Sequence, residues 1–146
     1  MGVKVSDRWI KSRKALGMAG FISIFIHMIM SLMLFTPAYY GKFFDVSGRM
    51  TLNAGLSMLT GVLAFVVLWF YNISFYKPGK DKEINKVIKS RGFLLLVMPL
   101  TALHLLFMGY KGWMNPAGWH AGIPPISLIA FVAFLIGYMI NLIGRK

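Results

Sequence analysis

Two histidines sit where an ionisable side chain is costly. His27 lies in GFISIFIHMIMSLMLF, residues 20–35, and His104 in PLTALHLLFMGY, residues 99–110. Neither stretch contains Asp, Glu, Lys or Arg. A neutral imidazole costs far less to bury in an apolar medium than an ion does. Three kinds of chemistry use it there. Its nitrogen can bind the iron of a non-covalent haem, which accepts one imidazole on each of two opposite faces. It can hand protons along a path through a membrane. It can also hydrogen-bond a neighbouring helix and hold no cofactor. Zinc is a poorer match, because it prefers three or four protein ligands and neither stretch offers a carboxylate or thiolate. The chain has no Cys, so CxxCH haem attachment and cysteine-held iron–sulfur clusters are excluded.

The neighbours of each histidine bear on the choice. Gly20, Ser23, His27, Met30 and Ser31 recur at steps of three and four, which places them roughly on one helical face. Gly20 leaves room there for a flat macrocycle or for close helix packing. Thr101 and Met108 fall on the face of His104. Asn53, Ser57, Thr60, Gly61 and Ala64 form a small, mildly polar stripe suited to a bundle interior. A third histidine, His120 in NPAGWHAG, reads as an exposed loop residue.

These residues need elements to carry them. Hydrophobic residues make up 58% of the 146 and charged residues 14%, against about 25% charged in soluble domains. Four apolar blocks stand out, at Ala15–Thr36, Leu52–Ser74, Gly92–Tyr110 and Pro124–Ile143, of 22, 23, 19 and 20 residues. None contains a charged side chain. About 20 helical residues cross a bilayer, and backbone groups in lipid must pair within the segment. The fold class expected is therefore an all-α integral membrane protein, a four-transmembrane-helix bundle. Residues 1–14 form a basic N-terminal segment, 15–143 the bundle and 144–146 a tail. Pro124 and Pro125 suit the first turn of the last span, and Pro99 predicts a kink in the third.

The net charge is +12. Lys4, Arg8, Lys11, Arg13 and Lys14 precede the first span. Lys77, Lys80, Lys82, Lys86, Lys89 and Arg91 separate the second and third, and Arg145 and Lys146 end the chain. Only Lys42, Arg49 and Lys111 fall in the other two connections, so thirteen of sixteen basic residues share one side. The positive-inside rule makes that side cytoplasmic, with both termini. Charge flanking the spans fits anionic lipid and argues against nucleic acid as a partner. Trp113, Trp119, Tyr39 and Tyr40 mark an outer aromatic belt, and Trp69 and Tyr71 approach the inner one. His27 and His104 each lie twelve residues above the start of a rising span, about 18 Å in at 1.5 Å per residue. Matched depth on parallel spans favours the haem reading, with structural histidines and a proton path still open.

SRKALGMAGFISIFIHMIMSLM resembles the first conserved span of the ferric reductase-like transmembrane family. That family includes the haem-bearing membrane subunit of bacterial methionine sulfoxide reductase systems, NADPH oxidases and metalloreductases. Arg13, Lys14, Leu16, Gly17 and His27 fill its pattern of basic residues, Leu-Gly and an apolar run ending in a haem-ligating His. RGFLLLVMPLTALHLLF resembles the later ligand span, with His104 opposite, and IPPISLIAF resembles the closing helix. Where members carry a further His at the start of that later span, this chain has Ser90 and Arg91.

The resemblance implies a cytochrome b-like electron-transfer subunit with one haem b. His27 and His104 are its expected iron ligands. Gly20 and Ser23 line the group, and Arg91 meets lipid phosphate, haem propionate or flavin phosphate. Flavin, on this chain or a partner, has no GxGxxG loop behind it. The partners implied are membrane lipids, a redox protein or other membrane subunits, quinone, and a second copy of the chain. The location implied is a bacterial or archaeal plasma membrane. The competing readings are a cofactor-free structural subunit and a small transporter with proton-active histidines.

Overall fold

A computed structural model describes residues 7–76 and 82–144. Lys4, Lys77, Lys80, Arg145 and Lys146 lie outside the described residues. Within them the chain forms α1 (Asp7–Met33), α2 (Leu52–Tyr76), α3 (Lys82–Ile88), α4 (Arg91–Leu95), α5 (Val97–Trp113) and α6 (Ile126–Ile143). Four segments are long and apolar enough to cross a membrane: Lys14–Met33, Leu52–Ser74, Arg91–Trp113 and His120–Ile143. They overlap the four blocks expected from the sequence. α1 starts before its apolar block, because the basic residues that precede it continue the helix.

Local chemistry sets the breaks. Pro37 follows α1 and disfavours helical backbone before it. Thr51 opens α2, its hydroxyl oxygen accepting the Ala54 N–H at 3.3 Å. Ser90 opens α4 in the same way, accepting from the Phe93 N–H at 3.2 Å. The third span is broken at Leu96, between α4 and α5. Pro99 has no N–H to offer the Leu95 carbonyl, and its ring crowds that oxygen, so the expected kink falls one turn before the proline. α6 starts at Ile126 with Pro125 as its cap. The prolines thus stand just outside the helix they were expected to begin.

Contacts between helices show that all four spans alternate in direction. Asn53 meets Tyr110 and Ser57 meets His104, so α2 and α5 are antiparallel. Trp113 donates to Ser127 at 3.0 Å at one end of the α5–α6 seam, and Arg91 donates to Asn141 at the other. Phe35, just after α1, meets Phe43 at 6.0 Å between centroids, and the Phe43 carbonyl accepts from the Thr51 N–H at the start of α2 at 2.9 Å, whereas Phe21 and Phe25 meet Phe65 and Trp69 further along, so α1 runs against α2. α1 and α5 are therefore parallel.

The buried residues are small. Ala54 is 1% exposed and Ser57 4%, and Thr60, Ala64 and Ala102 are also buried. Large side chains such as Ile26, Ile29, Val132, Ile136 and Ile140 are exposed instead. Helices that cross a membrane approach through small residues in this way and leave their bulky ones outward. α2, α5 and α6 pack along most of their length, whereas α1 touches α2 at few points.

Candidate functional site

Ser57 on α2 fixes His104 on α5. The His104 Nδ1 lies 2.8 Å from the Ser57 carbonyl oxygen, and the Ser57 hydroxyl donates to the His104 carbonyl at 3.0 Å. A carbonyl only accepts, so Nδ1 carries the proton and Nε2 presents its lone pair. Among the described residues no buried side-chain nitrogen or oxygen lacks a partner. Among the described residues no hydrogen bond engages Nε2, so that atom is not sealed inside packed protein. Gly61 completes the seat, because a Cβ there would stand 2.7 Å from His104 Nδ1. Only glycine lets the α2 backbone come this close to the ring.

His27 on α1 is held differently. Its side chain is exposed, and its Nε2 lies 3.4 Å from the Ser31 hydroxyl one turn along the same helix. That distance is at the weak end for a hydrogen bond. Both histidines line one cavity of about 540 Å³ between α1 on one side and α2 and α5 on the other. Sites that take cofactor-sized molecules run from about 300 to 1,000 Å³ and are mainly apolar. Here Thr101, Met108, Phe65 and Phe134 supply walls, and Phe35, Tyr40 and Phe43 are also part of the lining.

The depths agree only to within a turn. Phe21 and Phe25 each meet both Phe65 and Trp69, and the centre of that cluster sets His27 roughly level with Leu63 on α2. His104 lies against Ser57 and Gly61. The offset is about one helical turn, or about 5 Å. The cavity spans it.

The other expected site residues are elsewhere. Gly20 is exposed, and a Cβ on it would meet nothing within 4 Å, so no helix approaches closely there. Ser23 is exposed and donates to the Ala19 carbonyl of its own helix at 2.9 Å. Met30 is 54% exposed. Arg91 donates to the carbonyl and side-chain oxygens of Asn141, which ties α4 to the end of α6. None of these four lines the cavity. His120 is exposed in the connection before α6. A cation does approach the cavity lining, at Lys42, whose Nζ stands 5.1 Å from the centroid of Phe43.

The residues present are compatible with a haem on two observations. One imidazole has its Nδ1 proton held by the Ser57 carbonyl. A second lines the same cavity from the facing helix. Among the described residues no three His, Cys, Asp or Glu side chains gather to hold a bare metal ion.

Sequence reasoning found both histidines and the Ser57–Gly61 stripe, but not the bond between Ser57 and His104. Phe35 and Phe43 were also missed as cavity walls. TPAYYGKFF signals aromatic content without saying that its Tyr40 and Phe43 reach the cavity. Comparisons with known protein families, curated proteins and solved structures give no match to this chain.

Proposed function

We propose that the chain is a haem b-binding, membrane-embedded electron-transfer subunit of a reductase-like system, in which His104 and His27 would hold the iron. One observation carries this reading. Ser57 holds the His104 Nδ1–H, and His104 lines a 540 Å³ apolar cavity together with His27 of the parallel helix α1. The resemblance of the two histidine segments to the ferric reductase-like family supports the same assignment.

When bound, a haem supplies one-electron exchange between ferric and ferrous iron. The chain's own residues do the rest. The Ser57 carbonyl orients the His104 ring and raises its basicity as a ligand. The apolar walls exclude water and so help set the potential. Lys42 and the Tyr40 hydroxyl belong to the segment that would meet a haem's carboxylates. Arg91, engaged with Asn141, acts in this reading at the membrane surface and not on the cofactor.

The same proposal places both termini in the cytoplasm of a bacterial or archaeal cell. The basic stretch between the second and third spans would then face anionic lipid and an acidic redox partner. Electrons arrive one at a time from quinol or a reduced flavin protein and leave to a partner subunit.

A second reading has an observation of its own. The Ser57–His104 pair already staples α2 to α5 and would do so in a cofactor-free structural subunit. Colour separates the two. The chain purified from membranes should show the Soret and alpha bands of low-spin haem b, changing on dithionite reduction. A His27→Ala, His104→Ala double variant should lose them. A colourless wild-type chain, expressed with haem in excess, would leave the structural reading standing.

A further inference from the structure

The two histidines differ in every feature that holds a ligand in place. His104 is half-buried, its tautomer is set by a 2.8 Å bond to Ser57, and Gly61 seats its ring against α2. It also stands on a helix packed along both α2 and α6. His27 is exposed and stands on a helix with few contacts to the bundle. It is offset from His104 by about one turn. Its only hydrogen-bond partner among the described residues is Ser31, and that contact engages Nε2, the nitrogen opposite the ring's attachment to the chain. In the off position Ser31 therefore engages the same nitrogen that a metal would bind.

Resting on the haem reading, we infer that His27 is an exchangeable ligand and His104 a permanent one. The α1 side of the iron is then a binding site for a small uncharged ligand such as carbon monoxide or free imidazole. Release of His27 requires no break in the α2–α5–α6 core, only a small movement of α1. The lining around His27 has the size and apolarity to admit such a molecule: Ile24, Met28 and Leu32 flank it on α1. Ser31 catches the released imidazole.

The test uses the whole chain in detergent, with haem content and axial ligation read by absorption and electron paramagnetic resonance. Dithionite-reduced wild type under carbon monoxide should shift its Soret band to that of a carbonyl complex. His27→Gly should keep most of its pigment, turn high-spin, and return to low-spin when free imidazole is added. His104→Gly should lose most of its pigment and gain nothing from imidazole. His104→Gln retains an N–H for the Ser57 carbonyl and guards against misfolding. It should elute as wild type does on gel filtration and still hold little haem. Ser31→Ala, which removes the catch, should lower the carbon monoxide-bound fraction several-fold at subsaturating gas. A wild type that holds haem but does not respond to carbon monoxide overturns the inference and leaves the haem reading intact. So does equal loss and equal rescue in the two glycine variants. A wild type without pigment overturns both.

Discussion

The seam between α2 and α5 and the seam between α1 and α2 are built in opposite ways. The first closes through small residues, with Ala54, Ser57, Thr60, Ala64 and Ala102 all buried. Backbones come close enough for Ser57 to bond both the ring and the carbonyl of His104. The second is held apart by rings. Phe21, Phe25, Phe65 and Trp69 meet at 5.7 to 6.2 Å between centroids, and a cavity opens beside them. Small residues fix a geometry because no other packing fits. Stacked rings tolerate sliding, because offset and tilted arrangements differ little in energy. A cofactor site that needs one fixed wall and one that can give is served by having both seams.

The comparison can be broken most sharply at two glycines. Gly61→Val puts a Cβ 2.7 Å from His104 Nδ1 and further methyl groups beyond it. Overpacking of this kind costs about 1 to 3 kcal/mol, and the ring must leave its seat. Thermal unfolding in detergent should fall accordingly, and pigment content should fall by about tenfold, as for loss of an outer-shell partner. Gly20→Val on α1 adds the same atoms where nothing lies within 4 Å. It should alter neither measurement. Equal damage in the two variants would mean that α1 is seated as firmly as α5.

A smaller effect is expected at the serines. Ser57→Ala removes the hydroxyl that donates to the His104 carbonyl but keeps the Ser57 carbonyl that accepts from Nδ1. The loss should be about 1 kcal/mol of stability, with the axial spectrum nearly unchanged. Ser31→Ala breaks only a 3.4 Å contact on an exposed face, so its stability should be that of wild type. A large spectral change in Ser57→Ala would show that the hydroxyl, and not the carbonyl, orients the ring.

How much of this was legible in the sequence follows from the same contrast. The spans were, because a run of about 20 residues without charge has few other uses. So was the interior face of α2, since small polar residues at helical spacing have little reason to face lipid. His27 and His104 announced themselves as rare residues in apolar runs. What spacing could not give was rotation and offset. Gly20 and Ser23 share a helical face with His27 by steps of three and four, yet α1 touches α2 at few points and both residues lie outside the cavity. Arg91 opens the third long apolar segment, and its partner, Asn141, is fifty residues away on α6. Long-range pairing of that kind leaves no local pattern. The placement of Phe35 and Phe43 at the cavity depends on a turn whose tertiary target is not written in TPAYYGKFF.

That turn carries the smallest predicted effect, and it concerns the α1 side alone. The connection from α1 to α2 is tied by the bridge between Phe44 and Met50 and by Asp45. The Asp45 carboxylate accepts from the Ser47 hydroxyl at 2.6 Å and from the Arg49 and Ser47 N–H groups at 2.9 Å each. The Ser47 hydroxyl first, then the Arg49 backbone, hold its pKa below the ordinary carboxylate value of 3.8. Because the folded value is the lower one, the contribution is fully present above the unfolded pKa. It disappears as pH falls through the folded pKa. Hydrogen exchange at the Ser47 and Arg49 amides should therefore lose protection only in strong acid, below about pH 4. Asp45→Asn, which keeps the acceptor oxygen without the charge, should remove that pH dependence. The amides of α5 around His104 should show no such step in either protein, since nothing in their seam titrates through this carboxylate. A shared acid step would mean that the loop and the α2–α5 seam open as one unit, and that α1 is not independently seated.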